Sequence, residues 1–307
     1  MTHTRRERCY LVTGATGFQG GAVARLLAGR GDTVRGLARR PGRADTPGAP
    51  LVTPVAADLG NAEDLRKAFD GVTHAAVVMP LEYAADTVAR YARNIADAAR
   101  DAGVERIVYN TNTPLPDAVT GFAGFETRRA AEEILLGSGV PTVVIRPPVY
   151  LDNLFSPWNG PALVNDGVLA YPLPAGQRVA WMSHQDLATV VAAAFEAEHL
   201  VGRVLNVGGA EILTGPELAD RFGRALAREV TYVPLEVARF EEGLAQVVGS
   251  AAAAGVAGIY HHVAGGTAAH LLDPEPADAE RELGVRLTPA REWIGAQPWQ
   301  TWAGAAD

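Results

Sequence analysis

An apolar run from Cys9 to Thr13 meets Gly14-Ala15-Thr16-Gly17-Phe18-Gln19-Gly20, a G-x-x-G-x-x-G spacing that opens directly into a segment of helical periodicity. Val23, Leu26 and Leu27 recur at helical spacing between Gly21 and Arg30, so the order is strand, tight turn, helix. Glycine lets the turn close tightly and lets main-chain N–H groups approach a ligand, while the positive end of the following helix attracts an anion. In this setting Gly14, Thr16, Gly17, Phe18, Gln19 and Gly20 are expected to hold the diphosphate of a dinucleotide. A glycine triplet alone also occurs in purely structural turns; the strand before it and the helix after it favour the ligand.

The alternation continues. Strands are expected at Thr33 to Ala38, Val52 to Ala56, Val72 to Met79, Ile107 to Asn110 and Thr142 to Ile145, and helices at Ala62 to Phe69, Tyr83 to Ala102 and Thr127 to Leu136. A Pro/Gly-rich stretch ending near Pro50 separates the second and third strands, and Gly103 marks a helix end. This pattern predicts an α/β fold, a doubly wound parallel sheet of Rossmann-like type with a smaller C-terminal substrate lobe. The texture changes after Arg146-Pro147-Pro148, where prolines and the aromatics Tyr150, Phe155, Trp158, Tyr171 and Trp181 accumulate. Residues 1–150 therefore read as the nucleotide-binding domain and 151–307 mainly as the substrate lobe, with a strand near 203–209 returning to the sheet. Pro216 to Ala227 and Leu235 to Val247 read as helices of that lobe.

Composition narrows the partners. A net charge of −8, with no long basic run, argues against nucleic acid, which demands a concentrated positive footprint. The single cysteine, Cys9, excludes an intrachain disulfide and any cysteine-based zinc site. The charged first residues run straight into a strand without a secretory pattern, so a cytoplasmic setting is expected. The longest apolar stretch, Leu187 to Phe195, is far shorter than the roughly 20 residues that span a bilayer, so no membrane association is expected. His261, His262 and His270 have no carboxylate at helical spacing, and no metal is expected. A small-molecule substrate is the expected partner, and a homodimer is left open.

The end of the second strand selects the nucleotide. An acidic residue there would bind the adenosine ribose and repel a 2′-phosphate, but this chain has Arg39 and Arg40. Guanidinium groups suit a phosphate, so NADP(H) is preferred, with NAD(H) as second choice; the alternative is that both arginines are solvated loop charges. Asp58-Leu59 after the third strand is either an adenine contact or the cap of the helix beginning near Ala62. Further cofactor positions are expected at strand ends: Val78, Met79 and Pro80, then Thr111, then Pro147.

Thr13-Gly-Ala-Thr-Gly-Phe-Gln-Gly20, Arg35-Gly-Leu-Ala-Arg39, Ser138-Gly-Val-Pro-Thr-Val-Val-Ile-Arg-Pro147 and Val149-Tyr-Leu-Asp-Asn153 together resemble the NmrA-like branch of the atypical short-chain dehydrogenases/reductases. Ser183-His-Gln-Asp186, Leu205-Asn-Val-Gly-Gly209 and Pro289-Ala-Arg-Glu-Trp293 extend the resemblance over nearly the whole chain. The resemblance implies a Rossmann-like fold, NADP(H) or NAD(H) binding, and one of three roles: quinone or enone reduction, aryl-ether reduction, or cofactor sensing without turnover.

The chain departs from orthodox members of that superfamily, which use a Tyr and a Lys in Y-x-x-x-K as proton donor and cofactor-binding cation. Here the segment reads Gly124-Phe-Glu-Thr-Arg128, so the tyrosine is glycine and the lysine is arginine. Arg128 is either a cofactor contact or an exposed helix charge beside Arg129 and Glu132. Positioned proton transfer typically contributes about 10²- to 10⁴-fold in rate, so a chain without the tyrosine favours acceptors that need little protonation in the transition state. The expected function is NADPH-dependent reduction of a small conjugated, quinone- or enone-like substrate. The rivals are a non-catalytic NADP(H) sensor and a non-redox isomerase or cyclase on the same scaffold. Asn112, Arg128, Tyr150 and Tyr83 are the candidate catalytic groups, and Tyr150, Asn153, Phe155 and Trp158 the candidate substrate contacts; tyrosines in so aromatic a lobe are also read as pocket wall. His184, before Asp186, reads as a polar turn residue or a pocket position.

Overall fold

A computed structural model describes residues 8–40, 52–266, 268 and 270–304, so the Pro/Gly-rich stretch ending near Pro50 lies outside the described residues. In chain order the strands are β1 (Cys9–Thr13), β2 (Thr33–Ala38), β3 (Val52–Ala56), β4 (His74–Val78), β5 (Arg106–Asn110), β6 (Thr142–Arg146), β7 (Val168–Tyr171), β8 (Val204–Asn206) and β9 (Thr231–Pro234). The main sheet runs β3-β2-β1-β4-β5-β6-β8, and every pairing in it is parallel. The chain winds outward from β1 to β3, then returns to β4 on the other side of β1. That reversal leaves a crevice beyond the C-terminal ends of β1 and β4, where open α/β sheets bind ligands.

Helices cover both faces, as a parallel sheet requires. Along β1, Tyr10 and Val12 point to one face, against Val23 and Leu27 of α1 (Phe18–Gly29) and Leu187 and Val190 of α5 (His184–Ala194). Leu11 points to the other, with Leu65 of α2 (Ala62–Phe69), Ile95 of α3 (Ala85–Asp101) and Leu135 of α4 (Ala123–Leu136). A third core, around Tyr171, Trp181, Phe222, Trp293 and Trp299, belongs to the lobe. It gathers α6 (Gly215–Leu226), α7 (Val237–Val248), α8 (Ser250–Ala264) and α10 (Ala290–Ala296) around the two-stranded sheet β7-β9, whereas α9 (Pro276–Leu283) places Ala279 in the first core beside α5. Among the described residues no helix is long and apolar enough to cross a membrane.

Several boundaries differ from the sequence expectation. The first helix starts at Phe18 rather than Gly21, because the second half of the glycine turn is already helical. α4 starts at Ala123 rather than Thr127; the Thr120 hydroxyl and N–H donate to the Glu126 carboxylate and fix its first turn. The apolar run Leu187 to Phe195 is largely α5, packed on α1, so the second half of the chain returns a helix as well as β8 to the main sheet.

Candidate cofactor and active site

Gly14 sits at φ +62°, where glycine alone is unstrained, and the Gly17 N–H donates back to its carbonyl at 2.9 Å. Gly20 has no room for a side chain: a Cβ there would lie 2.5 Å from the carbonyl oxygens of both Gly14 and Thr13. Helix α1 begins with no side-chain cap and no acidic residue in its first turn, so its leading N–H groups face outward unpartnered by side chains. α2, by contrast, is capped by Asn61, whose side chain accepts from Glu63 and Asp64. Thr16, Gly17 and Phe18 are exposed along this turn, Phe18 to 81%. A tight bend pressed on its strand, followed by an uncapped helix, fits a diphosphate.

The β1–β2 register pairs Thr13 with Leu37, so Arg39 and Arg40 emerge beside the glycine turn, and both are exposed. Asp58 is not the helix cap: its Oδ1 accepts from Gly60 N at 2.7 Å in the turn before α2, and Asn61 caps the helix. Leu59 is 8% exposed, its side chain packed in the core. Val78 is half-buried and its Cγ1 lies under Gly14, Met79 is buried, and Pro80 is exposed at the mouth. Thr13, which the sequence reading passed over, ties β1 to β4: its hydroxyl donates to Val78 O at 2.9 Å and accepts from Val78 N at 2.8 Å.

At the end of β5, Thr111 is fully buried and its hydroxyl donates to Thr113 O at 2.6 Å, which fixes the turn after the strand. Asn112 takes φ +69°, donates from Nδ2 to Met79 O at 3.2 Å, and leaves a buried Oδ1 without a partner. Gln19 turns inward; its Oε1 accepts from Asn110 Nδ2 at 2.6 Å and from the Tyr150 hydroxyl at 3.0 Å. Tyr150 is only 5% exposed, and burial pushes its phenol far above the ordinary range, which makes it a strut between the loop after β6 and the glycine turn. Pro147 is buried behind it. His184 backs Tyr150 at 4.6 Å between ring centroids, and its N–H donates to Asp152 Oδ2 at 2.8 Å.

Arg128 is 1% exposed, which excludes the exposed-charge reading. Its guanidinium donates to Pro80 O at 2.7 Å and Glu82 O at 2.9 Å, and its Cζ lies 4.6 Å from the ring centroid of Tyr83. Gly124, where the orthodox tyrosine would stand, is covered by α8: a Cβ there would lie 2.5 Å from Gly255 O. On Gly255 itself a Cβ would fall 2.0 Å from Cδ2 of Tyr83. Deeper in the lobe Asn153 Nδ2 donates to the Tyr171 hydroxyl at 2.9 Å, which shares a 2.7 Å bond with the Tyr260 hydroxyl. Phe155 packs edge-on to Trp299 and Trp302, whereas Trp158 is 57% exposed. The histidines diverge: His261 faces Glu241, His262 packs on Phe122 and Phe125, and His270 faces Asp273.

The sequence profile of the NmrA-like family matches residues 7–294. The chain belongs to the NmrA-like family. A Streptomyces griseus relative of this NmrA-like protein, (4-alkanoyl-5-oxo-2,5-dihydrofuran-3-yl)methyl phosphate reductase, is 34% identical over 74% of this chain and 77% of its own length. The NAD(P)H azoreductase of Xenophilus azovorans is 29% identical over 76% of this chain and 79% of its own. Among solved structures, the Citrobacter sp. triphenylmethane reductase complexed with NADP(H) superposes with a TM-score of 0.73 at 24% identity, covering 93% of this chain and 98% of that one. Its NmrA-like fold is therefore the Rossmann-like α/β architecture described above.

Proposed function

We propose that this NmrA-like protein is an NADPH-dependent reductase of a small, apolar, conjugated acceptor of the quinone or enone type. The observation that carries the cofactor assignment is the glycine turn, where Gly20 admits no Cβ and α1 starts uncapped. Gly14, Thr16, Gly17 and the main chain of Phe18 and Gln19 hold the diphosphate in this reading, with Arg39 and Arg40 on the 2′-phosphate. NADPH bound there supplies the hydride.

The rim supports the substrate class. Four of the large exposed hydrophobic residues, Phe18, Leu81, Val119 and Trp158, lie in segments that follow the C-terminal ends of β1, β4, β5 and β6, the same edge of the sheet. An apolar edge suits a flat apolar acceptor better than a sugar or an acid. Residues 1–150 carry the cofactor in this reading, and residues 151–307 mainly receive the acceptor. The relatives above are named as reductases of an oxo-dihydrofuran, azo compounds and a triphenylmethane, which supports a conjugated acceptor.

The test is NADPH oxidation by purified protein against a panel of quinones, enones and azo compounds. Turnover of at least one conjugated acceptor, with simple ketones slow, is expected. Tight NADPH binding with no oxidation by any acceptor would overturn the reductase reading in favour of a cofactor sensor.

A further inference from the structure

Glycine at 124 leaves a chemical gap: hydride addition to a carbonyl or enone builds negative charge on oxygen, and a nearby acid lowers that barrier. Helix α4 cannot supply the acid from position 124, because α8 lies on it. We infer that Tyr83, from the loop after β4, is the proton donor of this chain and that Arg128 is the positioning residue that prepares it. The inference rests on the reductase reading and deepens it.

Tyr83 is held from several sides. Its ring lies on the bare backbone of Gly255, where any side chain would collide with it. The Arg128 guanidinium stands over the ring at 4.6 Å and binds the carbonyls of Pro80 and Glu82, which bracket the tyrosine in the chain. The Glu82 carboxylate accepts from the N–H groups of Tyr83 and Ala84, both at 2.8 Å, and fixes the loop from the other direction. Tyr83 nevertheless remains only half-buried, at the edge where the β4 and β5 ends meet, tied by Asn112 to Met79. A phenol beside a fixed cation is the same chemical pair that Y-x-x-x-K provides, here assembled from two elements instead of one helix.

Burial raises the Tyr83 pKa and Arg128 offsets part of that rise, so the phenol holds its proton near neutrality. An arginine guanidinium keeps its charge and stabilises the phenolate left behind. The step balances: the acceptor carbon gains the hydride from NADPH, the acceptor oxygen gains the Tyr83 proton, NADP⁺ remains, and water restores the phenol.

Tyr83→Phe removes only the hydroxyl. Its expected effect is a fall in kcat for enone reduction on the order of 10²-fold or more, with the Kd for NADPH unchanged. A second readout needs no turnover. With Tyr83 assigned by NMR through its loss in Tyr83→Phe, the phenol is titrated in the cofactor-free protein, in wild type and in Arg128→Met. The phenol is expected to become a roughly tenfold or more weaker acid without the guanidinium, and Arg128→Lys is expected to restore most of the difference. Wild-type turnover matched by Tyr83→Phe overturns the donor assignment while the reductase reading stands. Absence of turnover in the wild type overturns the reductase reading, and the donor role falls with it. A Tyr83 titration identical in all Arg128 variants overturns the pairing.

Discussion

Glu132 on α4 and Arg146 at the end of β6 form a two-bond ion pair, Nε to Oε2 at 2.9 Å and Nη2 to Oε1 at 2.6 Å. Their side chains are 8% and 14% exposed, so solvent screens the pair little. Glu132→Ala removes the carboxylate and strands the guanidinium in the interior, which costs about 3–5 kcal/mol. In a domain of this size each kcal/mol lowers Tm by roughly 2–4 °C, so a fall on the order of 10 °C is expected by calorimetry. The double variant Glu132→Leu/Arg146→Met should recover most of that loss, because both desolvation costs vanish together with the attraction. The consequence reaches the site, since Arg146 is followed directly by Pro147-Pro148 and the loop to Tyr150. A single variant within about 1 kcal/mol of wild type, or a double variant less stable than the single, would refute a buried pair of this strength.

Two further outcomes are expected. Arg39→Ala combined with Arg40→Ala should weaken NADPH roughly tenfold or more by calorimetry, the worth of a charge-assisted bond, and leave NADH nearly unchanged; equal losses would remove the 2′-phosphate assignment. His74, 3% exposed between Tyr10 and Phe195, is held down to about 4 by burial, with Arg8 and Arg106 repelling the charged form and Glu105 and Glu196 partly offsetting them. Its contribution to stability is complete above about pH 6.5, the unfolded value, and declines as pH falls toward 4, by about 2 kcal/mol at pH 5. Denaturant titrations at pH 7 and pH 5 should show that loss in wild type and a flatter profile in His74→Phe, and an unchanged difference would discount the imidazole.

The N-terminal half was readable because parallel strands buried on both faces appear as continuous apolar runs, as β1, β4 and β6 do, whereas the edge strand β3 is largely open to solvent and was marked by the turn residues around it. α8 was not, because Ser250-Ala-Ala-Ala-Ala-Gly-Val-Ala-Gly carries small residues on every side and no amphipathic stripe. β7 and β9, four residues each, are too short to show a period. At the site, the glycine turn was legible as chemistry, whereas Arg128 was not, since its partners are carbonyl oxygens that any sequence possesses. Gly124 read as a deletion of function and is instead a packing requirement, and Gly255-Val-Ala-Gly258 was the signal that could have revealed it. Tyr150 and Thr111 were placed at the right strand ends, but burial decides which polar tips stay free, and no local pattern encodes that.

The seam between α4 and α8 also restricts what single mutations can reach. With carbonyl and ring pressed against bare α-carbons at both 124 and 255, a tyrosine has no place on α4 unless the two helices separate. A lone Gly124→Tyr exchange is thus closed to this chain, whereas the loops around the seam stay free to vary.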